Sequence, residues 1–163
     1  MTATIKIIDT CTLINIFEEI DIDLGSALEK YYVIITQHVV SEYTRKMPRP
    51  IPKYLSVVGM NEDDRSVMDE TEFLFPYLGV GERSVFVMAL NAAATGEKVV
   101  GLTDDKKALK KFPEAAKSME INARFPGSKD IIWGDTLSLI RKLAADGKIP
   151  RTHIDIAKRA LKR

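Results

Sequence analysis

A chain of 163 residues, 45% hydrophobic and 29% charged, has the size and balance of one domain with a proper buried core. Its formal charge of +1 excludes a global pull toward nucleic acid or membrane, so any such preference must come from a local patch. The single cysteine, Cys11, excludes an internal disulfide framework and a multi-cysteine zinc site.

No apolar stretch reaches the ~18 residues of a membrane span. The opening residues carry Lys6 and Asp9 and do not read as a signal peptide. The expectation is a cytoplasmic single domain over residues 1–163, with no membrane partner.

In chain order, Thr4 to Asp9 reads as a first strand. Leu13, Ile14 and Phe17 at helical spacing predict a helix over Thr10 to Ile20. A second helix, Leu24 to Tyr31, leads into a short buried strand, Tyr32 to Thr36. Gln37 to Met47 reads as a helix stopped by Pro48, Pro50 and Pro52. Tyr54 to Met60 is a candidate edge strand, and Asn61 is the N-cap of an acidic helix running to Phe75. Gly79 and Gly81 punctuate the entry to a long helix, Glu82 to Ala94, which Gly96 stops.

Lys98 to Thr103 is another buried strand, ending at Asp104-Asp105. A helical stretch follows, then a last strand over Lys129 to Trp133. Two helices finish the chain, Asp135 to Asp146 and Thr152 onward, packed on the domain or extending from it. The second opens with Thr152-His153-Ile154-Asp155, a capping-box pattern. Strand–helix alternation with continuous apolar strands predicts an α/β fold, a mostly parallel central sheet with helices on both faces. Ligands of such sheets bind at the C-terminal ends of the strands.

Carboxylates fall at those ends. Asp9 closes the first strand, Asp104 and Asp105 close the strand at Lys98, and Glu82 heads the long helix. Glu42 lies in the second turn of the helix after Tyr32 to Thr36. Two readings stand side by side. Acids in a first helical turn cap free N–H groups and meet the positive end of the dipole, which would account for Asp9, Glu82, Asp104 and Asp105. Alternatively they converge on a hard divalent cation, Mg²⁺ or Mn²⁺, which takes oxygen ligands and retains waters. Glu42 lies beyond the reach of capping, and its plain alternative is surface exposure. Two carboxylates about 5 Å apart repel by roughly 3 kcal/mol at an effective dielectric near 20. Capping alone would not explain four that converge.

The segments "IIDTCTLI", "VVSEY" with Glu42, "GVGERSVFVMAL" with Glu82 and "LTDDKKAL" with Asp104 and Asp105 run in order from Ile5 to Leu109. Together they resemble the motifs of the PIN-domain nucleases. The late "IIWGDTLSLIRKLAADGKI" is similar to the strand–glycine–helix ending of one PIN subgroup. The resemblance implies a Rossmann-like sheet and metal-dependent cleavage of phosphodiester bonds, usually of RNA. By position, Asp9, Glu42 and Glu82 match the first three acids. The fourth falls in Thr103-Asp104-Asp105, where a Thr-x-Asp pattern selects Asp105 and a double-Asp pattern leaves Asp104 open. Cys11 departs from the serine or asparagine common at its position, and a thiol is a poor hydrogen-bond donor.

On this resemblance, Mg²⁺ or Mn²⁺ held by Asp9, Glu42, Glu82 and the Asp104–Asp105 pair would activate a water against RNA. Arg45, Lys46, Arg83, Lys106 and Lys107 are the candidate phosphate contacts, each also readable as part of a solvated face. The tail adds Lys158, Arg159, Lys162 and Arg163. The resemblance extends to toxins of toxin–antitoxin pairs, so an antitoxin protein and a homodimer are expected partners. The alternative is a non-catalytic module of the same fold that binds RNA or a protein. A small phosphatase or phosphotransfer domain is a third class, and it would have no need of Glu42 and Glu82 where they stand.

Other features read as structural. His38, one turn before Glu42, reads as a hydrogen-bonded structural histidine, with support of Glu42 on the same face as its alternative, and His153 is expected at the surface. Trp133 is expected in the core, and Phe73 to Leu78, "FLFPYL", reads as an apolar core cluster with a dimer surface as its alternative.

Overall fold

The computed structural model describes residues 4–8, 12, 14–16, 32–47, 50–51 and 55–161. Asp9, Cys11, Leu13, Phe17, the predicted helix Leu24 to Tyr31, and Lys162 and Arg163 lie outside the described residues. The fold is mixed α/β. Five strands, β1 (Thr4–Ile8), β2 (Tyr32–Thr36), β3 (Ser56–Val58), β4 (Lys98–Leu102) and β5 (Ile132–Gly134), form a sheet in the order β3-β2-β1-β4-β5. Every neighbouring pair is parallel. The chain grows outward from β1 to β3 on one side and then crosses to β4 and β5 on the other. The order therefore reverses between β1 and β4, the place where open parallel sheets leave a crevice at their C-terminal ends. Ile8 pairs with Leu102, so β1 and β4 end side by side.

Seven α-helices are found among the described residues: α1 (Gln37–Lys46), α2 (Glu62–Leu74), α3 (Val80–Ala94), α4 (Lys106–Ala116), α5 (Met119–Arg124), α6 (Thr136–Ala145) and α7 (Thr152–Ala160). None of them is long and apolar enough to cross a membrane. Residues 12 and 14–16 are also helical, with Ile16 fully buried. The central element is α3. It buries Val85 through Leu90 without a polar break, as a helix surrounded by protein must. It packs on β1, β2 and β4 and takes α1 and α2 along its flanks. Asn61 caps α2 as expected, in a reciprocal box with Asp64, and Asn91 of α3 donates to the Asp64 carboxylate.

An aromatic cluster joins the far side. Phe112 of α4 lies 5.0 Å from the rings of Phe75 and Phe86 and 5.1 Å from Trp133 of β5. Trp133 lies over Gly101, its neighbour in the sheet. A Cβ there would come within 2.4 Å of the indole, so β4 needs glycine at that point.

Five expectations are corrected. The last strand starts at Ile132, because Gly127 at φ +92° opens a 3₁₀ turn that consumes Ser128–Asp130. The Thr152 capping box does not form. Arg151 precedes α7 in a helical conformation, with no side-chain cap, and His153 is half-buried. Of "FLFPYL" only Phe75 enters the core, whereas Phe73 is 88% and Tyr77 81% exposed. Arg83, expected to meet phosphate, is only 7% exposed. Its Nη1 donates to the carbonyl of Met68 at 3.2 Å and the hydroxyl of Thr71 at 3.3 Å, and lies 3.8 Å from Glu72. Long and cationic, it reaches inward from α3 because α2 presents the Met68 carbonyl and the Thr71 hydroxyl there as acceptors.

Candidate active site

Glu42 owes its position to the direct passage from β2 into α1. The hydroxyl of Thr36 caps α1 by accepting the N–H of Val39 at 3.2 Å, and it lies 2.6 Å from the Ser84 hydroxyl on α3. Ser84 gives its one proton to the carbonyl of Gly81 at 2.6 Å, so Thr36 must be the donor between the two hydroxyls. One turn along α1, Glu42 Oε1 accepts the N–H of Gly81 at 3.1 Å. Gly81 is thus held through both its amide and its carbonyl, and the carboxylate of Glu42 is fixed against the start of α3.

A Cβ on Gly81 would lie 2.7 Å from each oxygen of Glu42. Gly81→Ala will therefore push the Glu42 carboxylate aside. Because only the end of a flexible side chain must move, and alanine favours helix over glycine by about 0.5–1 kcal/mol, stability should hold or rise slightly. A thermal melt checks this, with an unchanged or slightly raised melting temperature expected.

Glu82 stands in the first turn of α3, whose N-cap, Gly79, has no side chain to offer. A Cβ on Gly79 would lie 2.9 Å from Glu82 Oε2, so the turn must be bare for this carboxylate to fold back. Burial, followed by the negative charges of Glu42 and Asp105, raises the pKa of Glu82. Its own backbone amide and Lys46 pull the other way. The folded state thus holds this proton more tightly than the unfolded chain does. The resulting stabilisation is present below the ordinary glutamate value of 4.5 and is lost as pH rises through the folded-state value. Glu82→Gln should accordingly melt a few degrees higher than wild type in EDTA at neutral pH. The gap should close on acidification toward 4.5. Equal melting curves across that range would show that Glu82 is not under charge strain.

The Asp104–Asp105 pair divides. Asp105 caps α4, its Oδ1 accepting the N–H of Ala108 at 2.9 Å while its own N–H donates to the buried Thr103 hydroxyl at 3.1 Å. Asp104 accepts from Asn15 Nδ2 at 2.7 Å, from the N–H of Thr136 at 2.9 Å and from the Thr136 hydroxyl. It ties the end of β4 to the start of α6 and serves that helix as a cap.

Glu42, Glu82 and Asp105 line one concavity of about 500 Å³, with Arg45, Lys46 and Tyr77 completing its walls. Asp104 and Arg83 do not line it. Arg45, Lys46, Lys106 and Lys107 are exposed, and Arg45 Nε also reaches the carbonyl of Ser41 at 3.4 Å. Tyr77 was hidden from sequence reading inside an apolar run. Pro76 was the usable signal, since a proline cannot continue a helix and so places Tyr77 beyond its end.

No family model, curated protein or solved structure matches the chain. What the site can do must be argued from its own chemistry.

Among the described residues, no three His, Cys, Asp or Glu side chains stand close enough together to hold one metal ion. The donor set nevertheless suits a hard cation. All three acids of the concavity offer carboxylate oxygen, and two of them raise the pKa of the third. Mg²⁺ is typically bound through one or two carboxylates and keeps several waters, so three direct ligands are not required.

Proposed function

We propose that this chain is a metal-dependent endoribonuclease of the PIN type, with a Rossmann-like arrangement of helices on both faces of its sheet, acting in the cytoplasm. The observation that carries the reading is the lining of one concavity by Glu42 of α1, Glu82 of α3 and Asp105 at the N-cap of α4. Glu42 would be held ready by the Gly81 amide, and a cation would relieve the charged form of Glu82, which burial, Glu42 and Asp105 disfavour. Arg45 and Lys46, at the wall, would draw in a phosphate that the acids alone would repel. A bound Mg²⁺ or Mn²⁺ would supply an activated water and charge stabilisation at the phosphate. Asp9, outside the described residues, is the fourth acid of this proposal.

The reading extends to the toxin of a toxin–antitoxin pair, with an antitoxin protein and a second copy of the chain as partners. The test is cleavage of a mixed RNA pool by purified protein with Mg²⁺, with Mn²⁺ and with EDTA, beside Asp9→Asn. Cleavage that needs the cation and Asp9 supports the enzyme, and growth arrest on expression would mark the toxin. An intact pool under every condition would sink the enzyme and turn the assignment to a non-catalytic RNA- or protein-binding module.

A further inference from the structure

The run that ends α2 turns Phe75 into the core and sends Tyr77 outward, where it borders two concavities. One is the acid-lined site. The other, of about 420 Å³, has Pro76 and Leu78 in its floor and Lys107, Lys110 and Lys111 along its wall. Those lysines lie at i, i+3 and i+4 on α4 and so share a face. The ammonium of Lys107 is 5.4 Å from the centre of the Tyr77 ring. Lys111 lies 3.8 Å from Glu114, an exposed pair that a phosphate can readily replace.

Two further features point to an anionic, stackable ligand. Lys106, Lys107, Lys110 and Lys111 occupy the first two turns of α4, the end of a helix where the dipole disfavours cations, and no acid accompanies them in the first turn. Helix stability does not explain that placement, whereas a concentrated positive field does. Beside it, the exposed ring of Tyr77 is a stacking platform for a nucleic-acid base, of which every kind has a π-face.

We infer that the groove of Tyr77, Lys107, Lys110 and Lys111 is a subsite for single-stranded RNA, holding one unpaired base on Tyr77 and the adjoining phosphates on the lysines. The inference deepens the ribonuclease reading and rests on it for the role of the neighbouring acids. Tyr77 belongs to both concavities, so a strand seated in the groove leads directly to the acid-lined site. Paired bases could not turn a face to the ring, so the subsite selects against duplex.

The test is fluorescence anisotropy of a short labelled single-stranded RNA in EDTA, over a range of salt, with the duplex of the same sequence beside it. Tyr77→Ala should weaken single-strand binding roughly 5- to 100-fold, and Tyr77→Phe should bind as wild type. The double variant Lys110→Ala/Lys111→Ala should reduce the slope of log K against log salt by about 1.4, near 0.7 for each lost phosphate contact. All four side chains are exposed, so the variants should fold normally, which circular dichroism checks. Unchanged single-strand affinity in Tyr77→Ala, as expected if the groove seats an acidic peptide or a second copy instead, overturns the subsite. Equal losses for single strand and duplex overturn it too. Tyr77-dependent binding without cation-dependent cleavage would uphold the groove and remove the nuclease reading. Cleavage whose KM ignores Tyr77→Ala would do the reverse.

Discussion

In the proposed ribonuclease, Glu42→Gln will lower cation-dependent RNA cleavage by at least about 10- to 100-fold while the far-ultraviolet circular dichroism stays that of wild type. Loss of a residue that merely orients a metal ligand costs 10- to 100-fold, so loss of a ligand's charge should cost no less. The substitution isolates charge from shape. Glutamine has the same length, and its carbonyl can still accept the Gly81 amide that Oε1 accepts at 3.1 Å. The joint between α1 and α3 therefore survives, with Thr36, Ser84 and Gly81 undisturbed. Removing one negative charge also relieves Glu82, so the melting temperature should hold or rise. A folded variant that still cleaves at the wild-type rate would show that the Glu42 carboxylate serves only as an acceptor for Gly81.

Phe112→Ala should bring the largest loss of stability, about 3–5 kcal/mol, a large part of the roughly 5–15 kcal/mol that holds a domain together. Its ring is 0% exposed and touches Phe75, Phe86 and Trp133, which come from three other parts of the chain. The cavity left behind has walls that belong to different elements and cannot collapse together. For a chain of this length, a fall in melting temperature of roughly 6–20 °C is expected.

Function should follow, because α4 carries Asp105 at its N-cap and the lysines of the groove on its first turns. Phe112→Leu, which refills part of the space, should fall between wild type and Phe112→Ala in both melting temperature and cleavage. A melt of Phe112→Ala within 2 °C or so of wild type would mean that the aromatic cluster does not anchor α4.

Much of the architecture could be read along the chain. The apolar runs at Tyr32 to Thr36 and Lys98 to Thr103 appear as β2 and β4, and the edge strand at Tyr54 to Met60 appears as the shorter β3. Asn61 caps the helix expected of it, and the helix expected from Asp135 is found with Asp135 as its cap. These signals act over a few residues, through hydrogen bonds from a side chain to the next turn and through the period of apolar positions. The missed boundaries were also local but depended on conformation. Gly127 took a left-handed φ, and α7 begins after Arg151 in a helical conformation instead of being capped by Thr152.

The gathering of the acids was legible only in outline. Parallel strands deliver their C-terminal ends to one edge, so Asp9 and the Asp104–Asp105 pair were expected there from order, with Glu82 at the head of the long helix. What each side chain does was settled by partners far away in the chain. Asp104 is taken up by Asn15, 89 residues away, and by Thr136, 32 residues away, leaving Asp105 to line the concavity. Arg83 follows Glu82 directly, yet one faces the concavity and the other lies buried against α2, since successive helical residues point about 100° apart. Glu42 meets Gly81 across 39 residues through a hydrogen bond that no pattern in either segment announces. Caps and periodicity are properties of short stretches and can be read from them. The direction of a charged side chain depends on which distant donor or acceptor the packing brings within 3 Å or so, and only the folded chain decides that.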